Sequence, residues 1–169
     1  MYIGFFDGAC EPVNPGGNMG IGAVLYKVED KTLLTSMLNQ EKTSMELFGE
    51  LKPIMIVSQC IMKGEKGFYQ TSNNVAEYLG AMAILKHLND LNAKHAYIFG
   101  DSKLVVEQMC GNWRIKKGAY VTYAQEAKEM LKKEYRFFWI PRDYNDIGDD
   151  LSKGKMIDRG VKFKIQPND

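Results

Sequence analysis

The pattern of apolar and polar positions predicts short strands early in the chain and helices later. Residues 2–7, YIGFFD, are mostly apolar or aromatic and predict a strand. Residues 8–18, GACEPVNPGGN, crowd two Pro and three Gly together and predict a turn. Residues 19–28, MGIGAVLYKV, predict a second strand that closes a hairpin with the first. Residues 29–51 are polar and mixed, and only Met45–Phe48 suggests a short helical turn there. Residues 54–62, IMIVSQCIM, predict a buried strand that Gly64 and Gly67 end.

From Asn74 to Leu91 the period becomes helical. At about 100° per residue, Ala81, Ile84, Leu85, Leu88 and Leu91 share one arc, with Lys86, Asn89 and Asp90 opposite. Glu77 falls in the middle of the apolar arc. Residues 95–100, HAYIFG, predict a strand, and Asp101-Ser102 supplies the N-cap of a helix that Gly111 suits as a terminator. Residues 119–134 predict an amphipathic helix with Tyr120, Ala124, Ala127 and Leu131 on one face. Residues 135–141, YRFFWIP, predict a last strand, and Asn145 a cap for a closing helix to about Ser152. The order β-β-β-α-β-α-α-β-α predicts an α/β fold, a mixed sheet covered by helices.

Composition narrows the class. The chain has 169 residues, 45% hydrophobic and 25% charged, the balance of one ordinary globular domain. No apolar run approaches the length of a membrane span, so no membrane association is expected. The start, MYIGFFD, lacks the basic and apolar regions of a signal peptide. Cys10, Cys60 and Cys110 form no CxxC or zinc spacing, and reduced thiols in a cytoplasmic setting are expected. The net charge of +1 does not by itself suggest a polyanion partner. Basic residues do gather in 153–164, KGKMIDRGVKFK, and in Trp113-Arg114-Ile115-Lys116-Lys117, where the plain alternative is a solvated surface.

Five acidic residues at four places in the chain change the picture. Asp7 ends an apolar strand, Asp101 ends another, Glu77 faces the buried side of a helix, and Asp149 and Asp150 open the last helix. Each has a structural alternative, as a helix cap, a dipole partner or a turn residue. Converging carboxylates at half-buried sites, however, repel one another unless a cation joins them. Mg²⁺ prefers such oxygens, and two ions about 4 Å apart can hold the attacking and leaving oxygens of a phosphodiester displacement.

These residues carry a resemblance. Phe6-Asp7-Gly8-Ala9-Cys10-Glu11-Pro12-Val13-Asn14-Pro15-Gly16-Gly17 resembles the opening of type 1 ribonuclease H. Thr71-Ser72-Asn73-Asn74-Val75-Ala76-Glu77-Tyr78 resembles that family's Thr-Asn-Asn-x-x-Glu helix start. Tyr97-Ile98-Phe99-Gly100-Asp101-Ser102, followed by Gly111-Asn112-Trp113, resembles its Asp-Ser strand end and the Trp beyond. Trp139-Ile140-Pro141-Arg142, with Asn145, Asp149, Leu151 and Ser152, resembles its closing strand and helix. The four blocks stand in the family's order.

The resemblance implies the ribonuclease H fold, a five-stranded mixed sheet ordered 3-2-1-4-5 flanked by helices. It implies an endoribonuclease that cuts the RNA strand of RNA–DNA hybrids with two Mg²⁺ ions, Mn²⁺ being an alternative, and leaves 5′-phosphate and 3′-hydroxyl ends. Asp7, Glu77, Asp101 and Asp149 match the catalytic, metal-binding set; only spacing from Asn145 and the following Leu-Ser favours Asp149 over Asp150. Cys10 (through its backbone), Asn14, Asn73 and Asn74 match the side that faces the RNA strand. An amide suits a 2′-hydroxyl because both donate and accept. Ser72 and Trp113 match the DNA-strand side, which Arg114, Lys116 and Lys117 extend. Residues 1–153 are expected as the catalytic domain of a monomer and 154–169 as a basic C-terminal tail.

The chain also departs from the family. The loop Arg142-Asp143-Tyr144-Asn145 lacks the His that members often carry, and His87 and His95 read as structural or solvated. Only residues 112–118 stand where some members insert a basic helix. No hybrid-binding domain is expected before Asp7. Residues 29–53 are longer than the usual link. The alternatives are a nuclease of the same fold acting on another substrate, resolvase or integrase-like, and a non-catalytic hybrid-binding module. The Asn-Pro-Gly turn and Asn73-Asn74 argue against the first, and the intact acidic set against the second.

Overall fold

The computed structural model describes residues 1–68 and 70–165. Its single sheet contains β1 (Tyr2–Glu11), β2 (Asn18–Lys27), β3 (Met55–Ile61), β4 (Ala96–Gly100) and β5 (Tyr135–Trp139) in the order β3-β2-β1-β4-β5. β1 pairs antiparallel with β2, and β2 with β3, while β4 runs parallel to β1 and to β5. The expected 3-2-1-4-5 sheet is therefore the observed one. The helices are α1 (Lys31–Leu38), α2 (Ser44–Phe48), α3 (Asn73–Asp90), α4 (Lys103–Met109), α5 (Val121–Met130) and α6 (Asp146–Asp158).

Alternation along the strands sends side chains to two cores. Phe6, Ala23, Leu25 and Ile98 pack with α3, α4 and α5 on one face, where Ala81, Ile84, Leu85 and Leu88 are fully buried. Ile3, Phe5, Val24 and Phe99 pack on the other face with Met37, Phe48 and Ile147.

The structure corrects several expectations. β1 continues to Glu11, because Gly8 to Glu11 pair with Ile21 to Asn18, so the turn shrinks to 12–17. β3 is not buried throughout. It forms the sheet edge, and Ile56 is 60% exposed. Residues 29–51 hold two short helices. Asp30 caps α1, and a capping box of Thr43 and Glu46 starts α2. The Phe48 ring meets Phe5 at 5.2 Å and Tyr26 at 5.0 Å, so this segment closes the second core. α5 is shorter than the expected 119–134 helix, with Tyr120 just ahead of its first turn. Asn145 does not cap α6 with its side chain, which instead donates to the Phe6 carbonyl at 2.9 Å.

α6 also runs past Ser152 to Asp158, so the expected boundary between 153 and 154 falls inside a helix. Beyond it, Val161 and Phe163 are buried with Met156 against Ala9 and Cys60. Their apolar side chains seat the segment on the domain despite its three basic residues, Arg159, Lys162 and Lys164. The expected tail residues 166–169 lie outside the described residues.

Candidate active site

The parallel register of β1 and β4 places Phe5 beside Phe99, and two residues further along each chain stand Asp7 and Asp101. Glu77 joins them from α3, because Gly8 leaves no side chain between β1 and that helix. A Cβ at Gly8 would lie 2.3 Å from the Glu77 backbone nitrogen. Carboxylate oxygens of Asp7, Glu77 and Asp101 lie within 4.8 Å of one another. Asp7 and Glu77 are almost wholly buried.

Burial first, then the Asp101 charge, pushes the Asp7 carboxyl up to about 7. Burial also lifts Glu77 well above the usual carboxylate range, with the charges of Asp7 and Asp101 and a hydrogen bond with Asp7 adding to it. Asp101 is raised by burial as well, against the opposing pull of the Asn145 amide and the Arg142 guanidinium. Glu77 Oε2 and Asp101 Oδ2 are buried without a hydrogen-bond partner among the described residues. Clustered hard oxygens with unsatisfied lone pairs are a donor set that fits a divalent cation.

Asp149 stands outside that cluster. Its Oδ1 is 2.9 Å from the Lys153 ammonium and 3.6 Å from the Arg142 guanidinium. Asp150 is exposed. α6 comes close to the sheet over two glycines: a Cβ at Gly22 would lie 2.6 Å from the Ser152 nitrogen, and one at Gly20 only 1.9 Å from its carbonyl. That approach lets the buried Ser152 hydroxyl meet Asp7 Oδ2 at 3.1 Å and the Asp149 carbonyl at 2.9 Å.

The other expected residues flank this centre. Asn14 Oδ1 accepts the Asn73 backbone N–H at 2.9 Å, and Thr71 donates to the Gly17 carbonyl at 2.6 Å, so the 12–17 turn is tied to the start of α3. Cys10, Asn14 and Asn73 line one cleft of about 980 Å³ together with Arg142, Lys153 and Lys164. Ser72, Asn74 and Lys117 line a second cleft of about 820 Å³, in which Asn14 also takes part. The Cys10 thiol itself is buried and donates to the Val13 carbonyl. Ser72 caps α3 by accepting the Val75 N–H at 3.1 Å. Trp113 is 48% exposed, and Arg114, Lys116 and Lys117 are exposed on the link from α4 to α5.

Sequence reasoning missed four residues. Ser152 and Asn145 read as helix residues, and their contacts with β1 span 145 and 139 positions. Lys153 read as the first residue of the basic stretch 153–164, for which a solvated surface is the plain alternative. Gln108 read as one polar position of a helix. It is fully buried, accepts the Tyr78 hydroxyl proton and donates to the Arg114 carbonyl at 3.0 Å, so it anchors the Trp113–Lys117 link to α3.

Residues 58–154, more than half of the chain, match the family described as reverse transcriptase-like, and the chain belongs to that family. The bifunctional protein Rv2228c of Mycobacterium tuberculosis is 34% identical over 101 residues, a match that takes in 59% of this chain and 28% of that protein. The chain thus corresponds to under a third of that relative's length. The N-terminal RNase H domain of Rv2228c, solved as a fusion with maltose-binding protein, is 28% identical with a TM-score of 0.67, over 93% of this chain and 94% of that one. RNase H1 of the halophilic archaeon Halobacterium salinarum shares the fold at 22% identity and a TM-score of 0.62, covering 93% and 98% of the two chains. LC11-RNase H1, solved in complex with an RNA/DNA hybrid, does so at 24% and 0.65, covering 94% and 98%. The fold is that of type 1 ribonuclease H. Among the described residues no helix is long and apolar enough to cross a membrane.

Proposed function

We propose that this chain is an endoribonuclease that hydrolyses the RNA strand of RNA–DNA hybrids with two divalent ions, Mg²⁺ or Mn²⁺, at the acidic centre. The observation that carries the proposal is the cluster of Asp7, Glu77 and Asp101, with two buried, unpartnered oxygens, beside a cleft lined by Asn14 and Asn73. Asp7, Glu77 and Asp101 would hold one ion, and Asp149 would contribute to the second. When bound, the ions supply acidification of an attacking water and neutralisation of charge on the leaving 3′-oxygen. Ser152 positions Asp7 through its hydroxyl, and Asn145 holds the middle of β1 at Phe6, next to Asp7.

Substrate choice follows from the amides. Asn14 spends its carbonyl on Asn73, and its two N–H donors, unpaired among the described residues, would be open to a ligand. With the backbone at Cys10 and the side chains of Asn73 and Asn74, it would read 2′-hydroxyls. Ser72 and Trp113 would face the DNA strand, with Arg114, Lys116 and Lys117 offering phosphate contacts. LC11-RNase H1, which shares the fold, was solved with such a hybrid. A module that only bound a polyanion would gain nothing from buried carboxylates. The protein should cut the RNA of a labelled hybrid and leave single-stranded RNA and duplex DNA intact. Equal cleavage when the RNA strand is replaced by DNA would contradict 2′-hydroxyl reading and favour a resolvase or integrase-like activity.

A further inference from the structure

The four acidic residues are not electrostatically alike. Among the described residues, Asp7, Glu77 and Asp101 have no salt-bridge partner, whereas Asp149 has two. The Arg142 side chain is 70% exposed and stands 3.6 Å away, so it is the weaker of the two. Lys153 is different. Its side chain is only 20% exposed, it sits one helical turn after Asp149, and its ammonium stands 2.9 Å from Oδ1, an ion pair that is not a hydrogen bond. An acid four residues before a base is the favourable order on a helix. Lys153 also lines the same cleft as Gly8 and Asn73, the neighbours of the acidic centre on β1 and α3.

We propose that Lys153 is a tethered counter-ion for Asp149 that competes with the second divalent ion, so that the site fills in two unequal steps. The first ion goes to Asp7, Glu77 and Asp101, none of which has a salt-bridge partner among the described residues, Arg142 acting on Asp101 only from beyond that range. The second needs the Asp149 oxygen that Lys153 holds. This rests on the two-ion reading above and adds the order of loading and the residue that sets it. Removing a unit positive charge a few ångströms from a divalent ion changes its affinity by about tenfold even at water-like dielectric.

The test is a Mn²⁺ titration of the full chain, followed by calorimetry and by the EPR signal of the unbound ion. Wild type, Lys153→Met, Lys153→Gln and Lys153→Arg are compared, and a melting curve on each checks the fold. Wild type is expected to bind one ion tightly and a second weakly. Lys153→Met and Lys153→Gln should tighten the weak step about tenfold and leave the tight step within about twofold. Lys153→Arg should keep the wild-type pattern. A weak step that is unchanged or weaker in both neutral variants would overturn the proposal. A single binding step in every protein would overturn it too, while leaving metal binding at the three carboxylates intact. No binding in any of them would overturn the metal-dependent function along with it.

Discussion

Asp7→Asn and Asp101→Asn are each expected to lower hybrid cleavage by about 10³-fold or more while leaving the chain folded. Each exchange keeps the side-chain volume and removes one charged oxygen from the cluster. Metal stabilisation of transition-state charge is worth several kcal/mol, and each 1.36 kcal/mol is tenfold in rate. The same substitution has a second signature. The Asp7 carboxyl is raised from 3.8 to about 7, so the folded chain binds that proton more tightly than the unfolded one. The resulting stability is fully present below about pH 4 and is lost as pH rises through about 7. Metal-free Asp7→Asn should therefore melt above wild type at pH 8, with the gap closing at pH 5 and in excess Mg²⁺. Near-normal cleavage by either variant, or a lower melting temperature for metal-free Asp7→Asn at pH 8, would count against the assignment.

Gly8→Ala is expected to damage the site from outside it. The added methyl would lie 2.3 Å from the Glu77 nitrogen and 2.5 Å from the Ala76 carbonyl carbon, both backbone atoms that cannot turn aside. α3 must move away from β1, and Glu77 moves with it. Overpacking of this kind costs about 1–3 kcal/mol of stability. Displacing one carboxylate of a preorganised cluster should cost at least about tenfold in cleavage on top of that. Gly154→Ala is the control: it lies on α6 with only the Ser58 hydroxyl within 4 Å, at 3.5 Å. A helical Gly→Ala exchange there should be neutral or stabilising by about 0.5–1 kcal/mol. If Gly8→Ala behaved like the control, the close approach of β1 and α3 would not govern the site.

Much of this arrangement was legible in the sequence because it is periodic or local. The apolar run of 2–7, the helical arc around Glu77 and the Ser102 cap each depend on residues a few positions apart, and each is found in the structure. The sequence singled out Asp7, Glu77 and Asp101 as carboxylates in apolar surroundings, although Asp7 stands in the middle of β1 and not at the strand end expected for it. What could not be read depends on distant partners. Phe48 reveals its role only once Phe5 and Tyr26 are beside it. Val161 and Phe163 sit in a basic stretch, and their burial depends on β1 and β3. Asn145 carries a capping residue's identity but bonds Phe6 on the central strand, 139 positions earlier in the chain. Lys153 carried only charge in the sequence; its pairing with Asp149 emerges once α6 is seen to continue past Ser152.

The most direct measurement follows a hybrid with an end-labelled RNA strand, incubated with the purified chain in Mg²⁺ and, in parallel, in EDTA. Internal cleavage of the RNA strand is predicted in Mg²⁺ only, leaving 5′-phosphate and 3′-hydroxyl ends and an intact DNA strand. Undiminished cleavage in EDTA, products with 2′,3′-cyclic phosphate ends, or no cleavage in Mg²⁺ or Mn²⁺ would contradict it.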